Sequence, residues 1–470
     1  MNYSLQRALL SVSKTTTGSI LRITEIRSLL AGGVRSKSQR KSFRTTLAMA
    51  RKRAIAQQST PNPSPSKRPR RATKKKEEAE PKLKFDLEWD FFGEKTSKGL
   101  HPLLELTGPA VKGSSKIAGF DLDYTLIRPK SGRKWPTGPK DWMFLSDAVP
   151  EKLKKIHDEG FKIIIFTNQR GMEKGYTTPK DFMAKIDDII TALDFPIQTF
   201  VATGENQYKK PGTLMWDRMV KKHNDGVTVD LEESYFVGDA AGRAKNWAPG
   251  KPKDFSCSDR MFAANIGIGF YTPEEFFDGE DKAIFEWRSV NPREVLERAK
   301  TNQLDDEYHL ETKDFVIFTG PPASGKSSFY HHFLEPHGYV WVNRDTMKTQ
   351  AKCIEAAKKA IAEGKSVAID NTNPSTAARA AFIDLTKKKD YTVRCFVMDT
   401  PLEVCHHLNM VRQNQSSGKI RRIPNIGFNV YKKNYQEPTT KEGFSEIKKI
   451  PFYPVFENKN DEKLFLHWTD

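Results

Sequence analysis

Cysteine is scarce: Cys257, Cys353, Cys395 and Cys405 are the only four in 470 residues. They lack the paired spacing of a zinc site and are too few for a disulfide framework, so free thiols in a reducing compartment are expected. Long apolar runs are missing as well. Only 37% of residues are hydrophobic, and no stretch approaches the roughly 20 apolar residues that span a bilayer, so a soluble chain without a membrane role is expected. Acidic residues are missing from one end. Residues 1–80 hold 19 Lys and Arg against 4 Asp and Glu, a net +15 of the chain's +18, which leaves +3 for the other 390 residues. The body is nearly balanced, and any grip on a polyanion there has to come from local patches.

Residues 1–48 are rich in Arg, Ser, Thr and Leu, with Glu25 as the one acid. That composition suits a mitochondrial transit peptide. Met49 opens a second basic run, MARKR followed by SPSKRPRRATKKK, of the kind that directs proteins to the nucleus or binds nucleic acid. Two starts, Met1 and Met49, would serve both compartments. The alternative is a solvated tail with no address. Either way residues 1–83 are expected to be a disordered basic tail.

The remainder is long enough for two domains with separate cores. Strand-like apolar runs alternate with helical periodicity from about residue 84, which predicts parallel α/β architecture. KIAGFDL at 116–122 and KIIIFTN at 162–168 read as buried strands, with a helix from Pro150 to about Glu159 between them. DFVIFTG at 314–320, YVWV, SVAIDN and YTVRCFVMD form a second set. Residues 278–312 are charged and poor in apolar clusters, which places the boundary near 305 and gives domains at 84–305 and 306–470.

The first domain carries Asp121-Leu122-Asp123-Tyr124-Thr125 after a strand, putting two carboxylates at the carboxyl edge of a parallel sheet, where ligands of doubly wound folds bind. Both acids can face one pocket if the chain leaves extended geometry there. Alone, such a pair reads equally well as surface turn acids. Its weight comes from three further segments downstream, in this order: FTNQ with Thr167, KKPG with Lys210, and VGDAAGR with Asp239.

These elements resemble the haloacid dehalogenase (HAD) superfamily, and their wording (DLDYTL, FTNQRG, KKPGTLMW, VGDAAGR, DFSCSDRMFAANIGI) resembles the phosphatase domain of the polynucleotide kinase 3′-phosphatases. The resemblance implies that Asp121 is the nucleophile that forms an aspartyl-phosphate and that Asp123 protonates the leaving oxygen and then activates water. It implies that Thr167 holds phosphoryl oxygens, that Lys210 offsets their charge, and that Mg²⁺ is held by Asp121, Asp123 and Asp239. Carboxylate attack on a phosphate dianion needs such cationic partners. The fourth motif departs from the commonest form, since Ala240, Ala241 and Gly242 follow Asp239 where a second acid is usual; Asp259 is the candidate for a later one.

The second domain carries Gly320-Pro-Pro-Ala-Ser324-Gly325-Lys326-Ser327-Ser328, a GxxxxGK[ST] loop between a strand and a helix. Backbone N–H groups of such a loop wrap the phosphates of ATP, Lys326 reaches the β and γ phosphates, and Ser327 holds Mg²⁺. Asn343-Arg344-Asp345 ends the next strand, 19 residues beyond Lys326. It resembles the catalytic-base motif of polynucleotide 5′-kinases, with Asp345 as base; in isolation it would read as a surface ion pair or helix cap. Asp370 ends SVAIDN and supports either the metal or the substrate. HHLNMVRQNQ and GKIRRIP resemble a lid, with Arg412 as the clamp on the transferring phosphoryl group and Arg421 and Arg422 as alternatives or DNA contacts.

The resemblance spans about residue 84 onward and shows no equivalent of the forkhead-associated module. It implies a HAD-like, Rossmannoid phosphatase domain followed by a P-loop kinase domain. Its implied substrate is DNA with 3′-phosphate and 5′-hydroxyl ends, whose repair leaves termini for a ligase, in a nuclear monomer with two independently working sites. Two other classes stay open: an enzyme acting on RNA ends or small metabolites, and a non-enzymatic nucleic-acid scaffold. Intact Asp121, Asp123, Lys210, Lys326 and Asp345 argue against decay.

Overall fold

A computed structural model describes residues 84–304 and 307–470. The targeting and disorder expected of residues 1–83 lie outside the described residues. Two sheets organise the rest. The first has seven strands: β1 (Glu88–Phe92), β2 (Leu103–Thr107), β3 (Ile117–Phe120), β6 (Lys162–Asn168), β7 (Gln198–Ala202), β8 (Tyr235–Val237) and β9 (Gly269–Tyr271), in the order β1-β2-β7-β6-β3-β8-β9. A separate hairpin pairs β4 (Ile127–Arg128) with β5 (Met143–Phe144). From β7 across to β9 in that order the strands pair in parallel, as the alternating pattern predicts, whereas β1 and β2 add an antiparallel edge. Helices Ala148–Asp158 and Pro179–Leu193 contribute to one face and Leu214–Lys222 and Ser258–Ile266 to the other, which is why the central strands read as continuous apolar runs.

The second sheet is wholly parallel, with β10 (Asp314–Thr319), β11 (Val340–Asn343), β12 (Val367–Asp370), β13 (Thr392–Asp399) and β14 (Glu446–Pro451) in the order β11-β12-β10-β13-β14. Strand β10 sits where the order reverses, the position at which such sheets bind ligands. The helix Pro292–Lys300, capped by Asn291 with Pro292 at its first position, buries Val295 and Leu296 in one cluster with Val404, Val411 and Phe465 of the kinase-like half. All four cysteines are buried and unpaired, and no described helix is long and apolar enough to cross a membrane.

Residues 465–469 fold back between the halves. His407, on the helix Leu402–Gln415, contacts Thr469 Oγ1 at 3.0 Å and the Phe465 carbonyl at 2.9 Å, and His467 is buried nearby. Burial pushes both imidazoles down to about 4. An unfolded chain takes up these protons near pH ~6.5, so as pH is lowered from about 6.5 to about 4 the unfolded state binds more protons and stability is lost. The thermal midpoint is expected to drop across that window, with up to ~3 kcal/mol at stake per group. A His467→Phe variant, scanned calorimetrically from pH 7 to pH 4, should show a shallower drop; an unchanged slope would remove His467 from the account.

Candidate active sites

Strand β3 ends at Phe120, and the next residues turn. Tyr124 takes a left-handed φ of 61°, and Leu126 N–H and Ile127 N–H both bond to the Leu122 carbonyl. The turn releases Asp121 and Asp123 from strand alternation so that both look into the sheet edge. Lys210 is buried beside them, its Nζ 2.7 Å from Asp121 Oδ1 and 2.8 Å from Asp259 Oδ1. Asn168, the last residue of β6, pins the Lys210 peptide from both sides: its Oδ1 accepts from Lys210 N–H at 2.9 Å and its Nδ2 donates to the Lys210 carbonyl at 3.2 Å.

The carboxylates of Asp121, Asp239 and Asp259 each offer an oxygen within 4.8 Å of the others. Asp123 stands apart from this group. It accepts from Gln169 Nε2 at 2.7 Å and lies 3.7 Å from Lys185 Nζ, while Gln169 also donates to Thr167 Oγ1 at 2.9 Å. Asp259 reaches the cluster because the residue that follows β8 is a glycine: a β-carbon at Gly238 would sit 2.4 Å from Asp259 Oδ2. The Asp259 carboxylate is fixed in turn by the Ala240 N–H at 3.0 Å.

Burial, against the opposing pull of Lys210 and helped by crowding from Asp259 and Asp123, holds Asp121 above the ordinary carboxylate range. Burial, then Asp121 and Asp259, raise Asp239 likewise. Burial opposes the charge on Lys210, but the two acids outweigh it and raise its pKa. Three carboxylates, Asp259 buried and Asp121 and Asp239 partly so, thus crowd one buried ammonium, leaving negative charge that a hard divalent cation with oxygen ligands fits.

The second site lies on the carboxyl edge of β10 to β12. Gly325 has a φ of +94°, which lets the loop wrap into the helix Lys326–Phe333. Lys326 is buried, and its Nζ donates to the Gly320 carbonyl at 3.1 Å, the Pro321 carbonyl at 2.6 Å and Ser324 Oγ at 3.2 Å. Burial lowers its pKa. Ser327 Oγ donates to Asp370 Oδ2 at 2.6 Å, and the same oxygen accepts from Trp341 Nε1 at 3.0 Å and Asn343 Nδ2 at 2.9 Å. Asn343 also caps the short helix Arg344–Met347 by accepting from Asp345 N–H at 2.9 Å, which fixes the backbone of Asp345 at the end of β11.

A cavity of about 890 Å³ is lined by Ser324 to Ser328, Asp345, Asp370 and Arg412. Arg412 shares it with Asp345, whereas Arg422 turns away to Glu205 at 4.0 Å; Arg421 and Arg422 are absent from the lining. Of the three arginines expected in a lid, Arg412 lies on the helix Leu402–Gln415 and is the one that lines the cavity of the phosphate loop. Sequence reasoning misses Lys185, Gln169 and Asn168; the last two lie inside the FTNQ run, but nothing in that run signals what they touch.

Two family models match the chain in this order: polynucleotide kinase 3 phosphatase over residues 116–277 and an AAA domain over residues 315–438. The first half therefore has the HAD-like fold and the second the P-loop fold. The bifunctional polynucleotide phosphatase/kinase of Schizosaccharomyces pombe is 36% identical over 363 residues, covering 77% of this chain and 85% of that protein. A putative bifunctional polynucleotide phosphatase/kinase of Acanthamoeba polyphaga mimivirus is 35% identical, covering 73% and 86%. The polynucleotide 3′-phosphatase of Saccharomyces cerevisiae, 28% identical, covers 35% of this chain and 87% of its own length. With both catalytic edges assembled and relatives matched over most of their length, the chain belongs to the bifunctional polynucleotide phosphatase/kinase family.

Proposed function

We propose that the two edges divide the repair of DNA ends: the first hydrolyses a 3′-phosphate and the second phosphorylates a 5′-hydroxyl. The observation that carries this reading is one chain holding a clustered Asp121–Lys210–Asp239–Asp259 group and, separately, a phosphate loop that lines one cavity with Asp345.

At the first site Asp121 attacks phosphorus and the P–O bond to the 3′-oxygen breaks, giving an aspartyl-phosphate and a 3′-hydroxyl. Asp123 gives the leaving oxygen its proton and then takes one from the water that hydrolyses the acyl phosphate. Gln169 and Lys185 hold Asp123 for both transfers, and Thr167 and Lys210 hold the phosphoryl oxygens. Asp121, Asp239 and Asp259 would hold Mg²⁺, which when bound supplies charge compensation to the transferring group.

At the second site Asp345 accepts the proton of the 5′-hydroxyl as its oxygen attacks the γ-phosphorus of ATP and ADP leaves. Lys326 and Arg412 offset the charge on the phosphoryl oxygens. Ser327 and Asp370, 2.6 Å apart, would hold the accompanying Mg²⁺. Residues 1–83 would supply a nuclear address, and a mitochondrial one through residues 1–48. The chain would act as a monomer, leaving ends for a ligase.

The test is a side-by-side assay of wild type on DNA, RNA and mononucleotides bearing 3′-phosphate or 5′-hydroxyl groups, with Mg²⁺ and ATP. DNA ends should be converted fastest at both termini. Hydrolysis of small phosphomonoesters with DNA untouched would sink the reading. A Gly238→Ala variant should lose about a hundredfold in 3′-phosphatase turnover, because the new β-carbon displaces Asp259. Its kinase rate, measured on the same preparation, should stay at the wild-type value.

A further inference from the structure

The loop that carries Lys210 meets the kinase half directly on one side and through Asn265 on the other. On one side lies the turn after the helix Leu402–Gln415. Gly418 approaches so closely that a β-carbon there would meet Gln207 Oε1 at 2.5 Å, and Arg422 pairs with Glu205 at 4.0 Å. On the other side stands Asn265, on the helix Ser258–Ile266. Its Nδ2 donates to the Pro211 carbonyl at 3.0 Å and to the Trp468 carbonyl at 3.0 Å, and its Oδ1 accepts from the Trp468 N–H at 2.7 Å.

Both amide hydrogens and the amide oxygen of Asn265 are therefore used in one clamp, which joins the residue after Lys210 to the backbone of Trp468. Trp468 is itself fixed. Its indole stacks on Trp287 with centroids 4.1 Å apart and planes at 10°, and packs with Cys257 and Met261. The neighbouring Thr469 hydroxyl meets His407 on the helix that carries Arg412.

We infer that Asn265, anchored by Trp468, is a positioning residue for 3′-phosphate hydrolysis: it fixes Pro211 and so holds the Lys210 ammonium between Asp121 and Asp259. The phosphatase site in this chain thus depends structurally on residues 465–469 of the kinase half, even though each site has its own chemistry. The inference rests on reading Lys210 as the group that offsets phosphoryl charge. Asn168 fixes the Lys210 peptide, and Asn265 fixes the next one, so loosening Asn265 lets the loop shift without removing the lysine. A shift of the order of 1 Å at a charge-stabilising group costs about a hundredfold in rate.

The experiment compares Asn265→Leu, Asn265→Asp, Trp468→Ala and Trp287→Ala in the full chain. Asn265→Asp keeps the acceptor for the Trp468 N–H and loses both donors; the two tryptophan variants loosen the anchor from either partner. Turnover and KM on a 3′-phosphate oligonucleotide, the 5′-kinase rate and the thermal midpoint are read on each preparation. Phosphatase kcat should fall about ten- to a hundredfold with KM within about twofold, while the kinase rate holds. Wild-type kcat, a change confined to KM, or a parallel loss of both activities with a lowered midpoint would overturn the inference. Should an Asn265 variant not fold, the two tryptophan variants decide. Lys210→Met separates the levels: if it keeps wild-type turnover, the reading of Lys210 fails. If it is inactive while the other four variants match wild type, only the positioning role falls.

Discussion

Lys210→Met is expected to slow 3′-phosphate hydrolysis about a hundred- to a thousandfold, the usual effect of removing one preorganised charge partner from a transition state. The 5′-kinase rate should not change. The same variant should also lose stability, because methionine fills the space but leaves Asp121, Asp239 and Asp259 with no cation among them. Removing one partner from a buried charge group costs on the order of 3 kcal/mol. Part of that loss is relieved when Asp121 and Asp239 take up protons, which their raised pKa values favour. The remainder should be larger in EDTA than in Mg²⁺, since a bound cation takes over the missing charge. Thermal melts of wild type and variant with and without Mg²⁺ measure this directly; equal losses in both conditions would argue against a metal at these acids.

Lys326→Ala should reduce 5′-phosphorylation by about a thousandfold and leave 3′-phosphatase turnover intact, yet its thermal midpoint should move little. The contrast with Lys210 comes from the partners. Lys326 is held by two backbone carbonyls and a hydroxyl, all neutral, so its loss strands no buried carboxylate within hydrogen-bond reach. Charge-assisted bonds to phosphate oxygens are roughly twice as strong as such neutral bonds, which lets ATP draw the ammonium away from them. A kinase assay beside a thermal melt checks both parts. A midpoint drop as large as that of Lys210→Met would show that Lys326 is structural.

Much of this is legible in the sequence, because strand ends and catalytic residues coincide in parallel α/β folds. KIIIFTN reads as a strand at 162–168, and β6 spans those residues. Asp121, Lys210 and Asp239 are separate motifs after separate strands, and the sheet order brings them to one edge. Asp259 cannot be promoted from spacing alone. It lies 20 residues past Asp239 on a helix, and its reach depends on the missing side chain at Gly238. Lys185 is invisible for a related reason: on the helix Pro179–Leu193 it reads as a solvated lysine, and only the packing of that helix buries it beside Asp123. Residues 278–312 read as a charged connector because the helix Pro292–Lys300 buries only a narrow stripe, Pro292, Val295, Leu296 and Ala299, whose partners lie more than a hundred residues downstream. The clamp between Asn265 and Trp468 leaves no signal at all, since its contacts at Trp468 are to backbone atoms.

The central claim is that one chain holds two separable sites for the two ends of a DNA break. One measurement tests it most directly: end analysis of an oligonucleotide carrying both a 5′-hydroxyl and a 3′-phosphate, incubated with Mg²⁺ and ATP and either wild type, Asp121→Asn or Lys326→Ala. Wild type should convert both ends, Asp121→Asn only the 5′ end, and Lys326→Ala only the 3′ end. Loss of both conversions in either correctly folded variant, or retention of both, would contradict the account.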